Sequence, residues 1–268
     1  MPRRSARPCY GKFDREKAYR GKNLIRVAHI SDLHMTDIKS ESFRGSKPYE
    51  NYIDVLREIH VKNCNFIIAT GDMSESGSVE SYNLIKQGFS EVNIPVHIIP
   101  GNHDNLDNMN STLMDNLVTY KNNISFDNWA FYFLDTVVDG ENYGYISNNS
   151  LKKFLENIRN ATAKNIGVIM HHQPIDVGTP LIDRLNIKNA NILSTSAFRD
   201  SRIKIILFGH VHNDYEFKLN NTVYSSAPAT CFQFKKGASK LEIEYNVGYK
   251  IYTFEADTFY SNTQWLNT

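Results

Sequence analysis

Five short apolar runs in this chain each stop at residues able to bind a metal ion. The stops are Asp32-Leu33-His34, Gly71-Asp72, Gly101-Asn102-His103-Asp104, His171-His172 and Gly209-His210-Val211-His212. The chain has nine histidines, and six of them fall in these positions. Carboxylate, imidazole and amide oxygen are represented and thiolate is not. That donor set suits first-row ions such as iron, manganese or zinc rather than a cysteine-based zinc site. Asp32, His34, Asp72, Asn102, His171, His210 and His212 are too many ligands for one ion that keeps an open position. Two ions sharing Asp72, roughly 3.5–4 Å apart, account for them better. Two divalent ions, two carboxylates and a bridging hydroxide leave a positive charge that a phosphodiester monoanion neutralises. Such a centre generates hydroxide near neutral pH and clamps the attacking and leaving oxygens of an in-line displacement.

The elements that must position these residues follow from periodicity. Leu24–Ile30, Phe66–Thr70, Val96–Ile99, Ile166–Met170 and Ile203–Phe208 read as apolar strands ending at the polar stops, with Trp129–Leu134 a further strand. Tyr52, Val55, Leu56 and Ile59 trace the stripe of an amphipathic helix, as do Leu151, Phe154, Leu155 and Ile158; Tyr82, Ile85 and Phe89 mark another. Beyond Gly209 the pattern changes to strands without helices: Tyr215–Leu219, a turn at Asn220-Asn221, Val223–Ser225, Leu241–Tyr245 and Lys250–Phe254. Strand–helix alternation followed by antiparallel strands predicts an α/β fold of two sheets with helices outside. In such sheets the carboxyl ends of the strands form the binding crevice, which brings the five stops together.

Asp-x-His after a strand, or a glycine before a helix-capping aspartate, recurs by chance. Gly101-Asn102-His103-Asp104 is more specific, because glycine lets the backbone turn sharply while three polar groups address one cavity. The ordered set resembles the calcineurin-like metallophosphoesterase family over roughly Arg26 to Asn213. The resemblance implies a four-layer sandwich of two mixed β-sheets flanked by helices. It places one metal at Asp32, His34, Asp72 and His212 and a second at Asp72, Asn102, His171 and His210. Either His171 or His172 could serve in the fourth motif, and His171 is preferred because it ends the strand directly. His103 would be the uncoordinated imidazole that protonates or stabilises the leaving oxygen, oriented by Asp104, while His34, Asn102, His103 and His212 face substrate.

A narrower resemblance, to the bacterial class III cyclic AMP phosphodiesterases, covers Leu181-Ile182-Asp183 to Asn186-Ile187-Lys188-Asn189, then Thr230-Cys231-Phe232-Gln233-Phe234 and Gly248-Tyr249. It implies hydrolysis of 3′,5′-cyclic AMP to 5′-AMP. Phe232 and Phe234 are read either as sheet packing or as an aromatic lip against which a purine stacks. A glycerophosphodiesterase or broad phosphodiesterase is the alternative with the same site. A non-catalytic scaffold would have lost ligands, and none is missing.

Composition narrows the partners. A chain of 268 residues with 41% hydrophobic residues and net charge +1 is expected to form a globular domain without a nucleic-acid stripe. Its apolar runs are far shorter than the roughly 20 residues a membrane helix needs. Cys9, Cys64 and Cys231 form no paired motif, and a cytoplasmic location is expected. Residues 1–23 are basic and aperiodic and read as a solvated arm preceding a domain over 24–268, with a clasp for a second subunit or an anionic surface as the alternative.

Overall fold

The computed structural model describes residues 24–121, 123–194 and 200–266, so the basic arm and Cys9 lie outside the described residues. The first half comprises β1 (Ile25–Ile30), α1 (Pro48–Val61), β2 (Phe66–Ala69), α2 (Val79–Val92), β3 (Val96–Ile98), α3 (Leu106–Thr112), β4 (Val118–Thr119), β5 (Asn123–Phe126) and β6 (Trp129–Phe133). There follow α4 (Asn148–Asn160), β7 (Asn165–Ile169), α5 (Pro180–Asp183), β8 (Ile203–Phe208), β9 (Glu216–Leu219) and β10 (Thr222–Ser226). The chain continues through β11 (Gln233–Phe234), β12 (Ile243–Glu244), β13 (Val247–Phe254) and β14 (Phe259–Leu266).

One six-stranded sheet has the order β14-β13-β1-β2-β3-β4, the other β5-β6-β7-β8-β10-β9. Both are mixed: β1, β2, β3 and β4 run parallel and β13 joins β1 antiparallel, while β6, β7, β8 and β10 run parallel between antiparallel β5 and β9. Parallel strands buried on both faces read as near-continuous apolar runs, which is why β1, β2, β7 and β8 show so plainly in the sequence.

Three packed layers of side chains separate four layers of backbone. Val27, Phe66, Ile68, Phe131, Ile205, Leu207 and Phe254 fill the space between the sheets. The opposite face of the first sheet packs on α1 and α2 through Tyr52, Val55, Ile59, Tyr82, Ile85 and Phe89. The second sheet packs on α4 through Phe154 and Ile158. Each helix starts where its sequence dictates. Pro48 opens α1, whereas Ser78 and Ser147 accept the N–H of Ser81 and Ser150 to cap α2 and α4. The four-layer sandwich expected from the sequence is the one observed. Among the described residues no helix is long and apolar enough to cross a membrane.

Candidate metal centre

All five polar stops lie at carboxyl ends of parallel strands, on loops after β1, β2, β3, β7 and β8. The loops continue one another's hydrogen bonding beyond the strands: Asp32 N donates to Gly71 O, His34 N to Asp72 O, and Gly209 N to His171 O, each at 3.0 Å. The approach is so close that side chains would obstruct it. A Cβ on Gly71, whose φ is 90°, would lie 2.5 Å from Gly101 N, and one on Gly101 would lie 2.2 Å from Asp72 Oδ1. Gly71 is needed for the turn and for the contact, Gly101 for the contact.

The loops hold their functional residues in an uncommon backbone state. Asp32, His34, Asp72, His210 and His212 all have φ between 43° and 68°. Left-handed conformations are disfavoured for residues with a Cβ, and they persist where the surroundings impose them, often at functional sites.

The donor atoms converge on two neighbouring points. His34 Nε2 and His212 Nε2 are 3.0 Å apart, and His212 Nε2 is 3.5 Å from Asp32 Oδ1. His171 Nε2 is 3.0 Å from Asn102 Oδ1. Between these groups stands Asp72 Oδ2, 3.7 Å from His34 Nε2 and 3.4 Å from His171 Nε2. His210 turns its ring toward His171, centroid to centroid 5.1 Å, and its Nε2 is buried without a partner among the described residues. Ring tautomers are set from behind. His171 Nδ1 donates to Thr70 O at 2.6 Å and His212 Nδ1 to Phe232 O at 3.0 Å, leaving each Nε2 lone pair directed into the cluster.

Electrostatics show what this arrangement lacks in positive charge. Asp32 and Asp72 are buried, and burial together with the neighbouring Asp72 carboxylate pushes Asp32 up to about 6 despite the opposing His171. Burial tends to depress His171, but the Asp72 and Asp32 carboxylates outweigh it and raise it to about 9. Burial, then neighbouring His171, keeps His210 well below the ordinary histidine value; burial, then His34, does the same for His212. His210 and His212, held neutral beside buried carboxylates, and a His171 that holds a proton in place of a cation form a donor set that divalent cations complete. The residues present therefore fit a metal pair.

His172 adjoins this cluster: its ring lies 4.7 Å from that of His171, and donor atoms of His171, His172 and His210 lie within 4.8 Å of one another. Its Nδ1 is 2.9 Å from Thr136 Oγ1, its ring lies 4.5 Å from that of His210, and its Nε2 is buried without a partner among the described residues. His171 is the histidine of the fourth motif whose Nε2 faces Asp72 and Asn102. The expected partnership of His103 and Asp104 is corrected. The Asp104 carboxylate accepts from the N–H of Met73, Ser74 and Gly101 and from Tyr82 OH, so it ties the β2 and β3 loops together. Glu75 takes the expected place instead: its Oε2 is 2.5 Å from His34 Nδ1 and 3.3 Å from His103 Nδ1. A carboxylate three residues after Asp72 was the available signal for it. His103 is partly open to solvent and its N–H donates to Asp72 Oδ1 at 2.8 Å.

Above the cluster lies a cavity of about 310 Å³. His34, Asp72, Asn102, His103, His210 and His212 form its floor. Phe232 is buried and packs against His34 and His212, and Phe234 stacks on His212 at 4.4 Å; both also line the cavity. Gln173 Nε2 donates to Ile182 O and so anchors α5, which brings Leu181 and Leu185 to the cavity wall.

A profile of the calcineurin-like phosphoesterases matches residues 25–214, and the chain belongs to that family. It is 33% identical over 246 residues to the probable cyclic nucleotide phosphodiesterase of Coxiella burnetii, covering 91% of this chain and 98% of that one. It is 28% identical over 227 residues to the 3′,5′-cyclic adenosine monophosphate phosphodiesterase of Escherichia coli K12, covering 84% and 82%. A dimetal phosphatase from Danio rerio shares the fold at a TM-score of 0.65 and 12% identity, covering 88% of this chain and 98% of that one. The protein is thus a metallophosphoesterase related to cyclic nucleotide phosphodiesterases.

Proposed function

We propose that this protein is a two-metal phosphodiesterase that hydrolyses 3′,5′-cyclic nucleotides, cyclic AMP to 5′-AMP first among them. The observation that carries the reading is Asp72 Oδ2, poised between the His34–His212 pair and the His171–Asn102 pair. Asp32, His34, Asp72 and His212 would hold one ion, and Asp72, Asn102, His171 and His210 the other, from among iron, manganese and zinc. Such a pair supplies a hydroxide nucleophile near neutral pH and neutralises charge on the phosphoryl oxygens. The chain's own groups do the rest. Asn102, His34 and His212 border the phosphoryl position, and apolar side chains form the cavity walls above them. His103 delivers a proton to the departing ribose 3′ oxygen, held in orientation by Glu75.

The related phosphodiesterases support the choice of a cyclic nucleotide. Turnover of cyclic AMP, glycerophosphodiesters and a bis-nitrophenyl phosphodiester by manganese-loaded protein tests it. Cyclic AMP is expected to be the best of the three at low concentration. Preference for glycerophosphodiesters would assign the site to that class instead, and no turnover of any diester would leave a scaffold.

A further inference from the structure

The cavity has an outer end that hydrolysis itself does not use. Its walls are Phe43, Leu181, Leu185, Phe234 and Leu241, and its charged group is Arg44. Arg44 forms no ion pair among the described residues; its guanidinium lies 5.3 Å over the Phe43 ring. Phe43 in turn stacks on His34 at 5.5 Å. The three side chains step outward from a buried imidazole to an exposed guanidinium, the order in which a nucleotide would present its phosphate and its base.

The backbone singles out the same residue. Ten described residues other than glycine have positive φ. Asn63, Asn93, Asp127 and Asn220 are types that tolerate the left-handed region in turns, and five more are candidate metal ligands. The tenth is Arg44, at 49°. With Gly45 it forms the tip of a tight turn closed by Phe43 N–H to Ser46 O at 3.0 Å and Ser46 N–H to Phe43 O at 2.9 Å. The turn is fastened from outside. Ser46 Oγ and Asn51 Nδ2 donate to Cys231 O, and Tyr245 OH donates to Arg44 O at 3.3 Å. A cation whose backbone is in a disfavoured conformation therefore stands at the cavity mouth without an ion-pair partner among the described residues.

The walls decide what it meets. Burying a second phosphate between leucines and phenylalanines would strip its water without replacing the hydrogen bonds. A planar base with apolar faces and a polar edge suits that space. Arginine offers only N–H donors in a fixed fork, so the facing edge must present acceptors. Guanine offers N7 and O6 side by side, whereas adenine pairs N7 with an amino donor. We propose that Arg44 is a base-reading residue that raises turnover of cyclic GMP relative to cyclic AMP, through a bidentate contact to guanine O6 and N7. This rests on the cyclic nucleotide reading above.

The experiment compares kcat/KM for cyclic GMP and cyclic AMP on the same metal-loaded sample of full-length protein. The fraction folded and loaded then cancels from the ratio. A bidentate base contact is worth roughly 5- to 150-fold in discrimination. The cyclic GMP to cyclic AMP ratio is expected to fall by that factor in Arg44→Gln, whose amide matches the adenine edge. It should fall in Arg44→Lys too, which keeps the charge and loses the fork. An unchanged ratio in Arg44→Gln, a full wild-type ratio in Arg44→Lys, or no cyclic GMP hydrolysis by the wild type would overturn the assignment. If cyclic AMP is still hydrolysed in those cases, only the role of Arg44 falls. If neither cyclic nucleotide is turned over while a bis-nitrophenyl phosphodiester is, the cyclic nucleotide reading falls, and this proposal with it.

Discussion

Asp72 contributes each carboxylate oxygen to a different task, Oδ1 accepting the His103 N–H and Oδ2 facing both imidazole pairs. Asp72→Ala should therefore lose binuclear metal content and nearly all activity; two ions per chain in that variant would refute the bridging assignment. The neighbouring histidines separate by orientation. His171→Ala should lose one ion because its Nε2 faces Asp72 and Asn102, while His172→Ala should retain two and alter mainly substrate binding. Elemental analysis of both variants decides, and the reverse pattern would transfer the role to His172. His103 should leave the metals in place when changed to alanine. A positioned acid is worth about 10²–10⁴-fold, and most for a basic leaving group. His103→Ala should thus slow cyclic AMP, whose leaving group is a sugar alkoxide, far more than a nitrophenyl diester. Equal losses on both would point to an electrostatic role.

At the scale of elements, the strands that carry the site were legible because each is a buried apolar run with an abrupt polar stop. Other elements depend on tertiary partners. β14 pairs with β13 along its length, yet its residues alternate between exposed and half-buried with no apolar stripe, so it left no pattern. The strand expected over Leu241–Tyr245 shrinks to β12, whose pairing ends with the two residues of β11. Arg44 left no trace for the same reason: its turn is set by Cys231 and Tyr245, far along the chain. Asp104 misled because its position beside His103 in sequence suggested contact, whereas the turn directs its carboxylate at three donors on neighbouring segments and at Gly101 N–H within the turn itself.

β1 carries a further consequence. His29 is buried opposite Lys250 of β13, with Nε2 2.9 Å from Thr70 Oγ1 and Nδ1 without a partner among the described residues. Burial, and then the Lys250 ammonium, lowers its pKa from 6.5 to about 3. Between those values the unfolded chain takes a proton that the folded one refuses. Stability should therefore fall as pH drops through this window, by up to ~1.4 kcal/mol per pH unit from this group. Urea unfolding of metal-free protein at several pH values should show a shallower acid slope in His29→Gln. An unchanged slope would place the acid loss elsewhere.

At the scale of the molecule, the candidate metal centre is a seam. Loops of the first sheet supply Asp32, His34, Asp72 and Asn102, and loops of the second supply His171, His210 and His212. Polar contacts already cross that seam: His210 N donates to Asp32, His171 Nδ1 to Thr70 O, and Lys250 of the first sheet to Asp214 and to Ser225 of the second. Without cations, however, the seam brings together buried carboxylates and closely packed imidazoles whose ionisation burial opposes. Ions that bind only this assembled arrangement must stabilise the whole fold by mass action. The gain is about 2.7 kcal/mol at a free concentration one hundred times the dissociation constant. In a domain of this size each kcal/mol moves the melting temperature by roughly 2–4 °C, so manganese should raise it by about 5–10 °C over chelated protein. The rise should grow with the logarithm of free metal and should largely vanish in Asp72→Ala. Thermal melts across a manganese titration measure both. A rise of the same size in Asp72→Ala would show that the ions stabilise some other place, and no rise in the wild type would mean that the two sheets are not joined through metal.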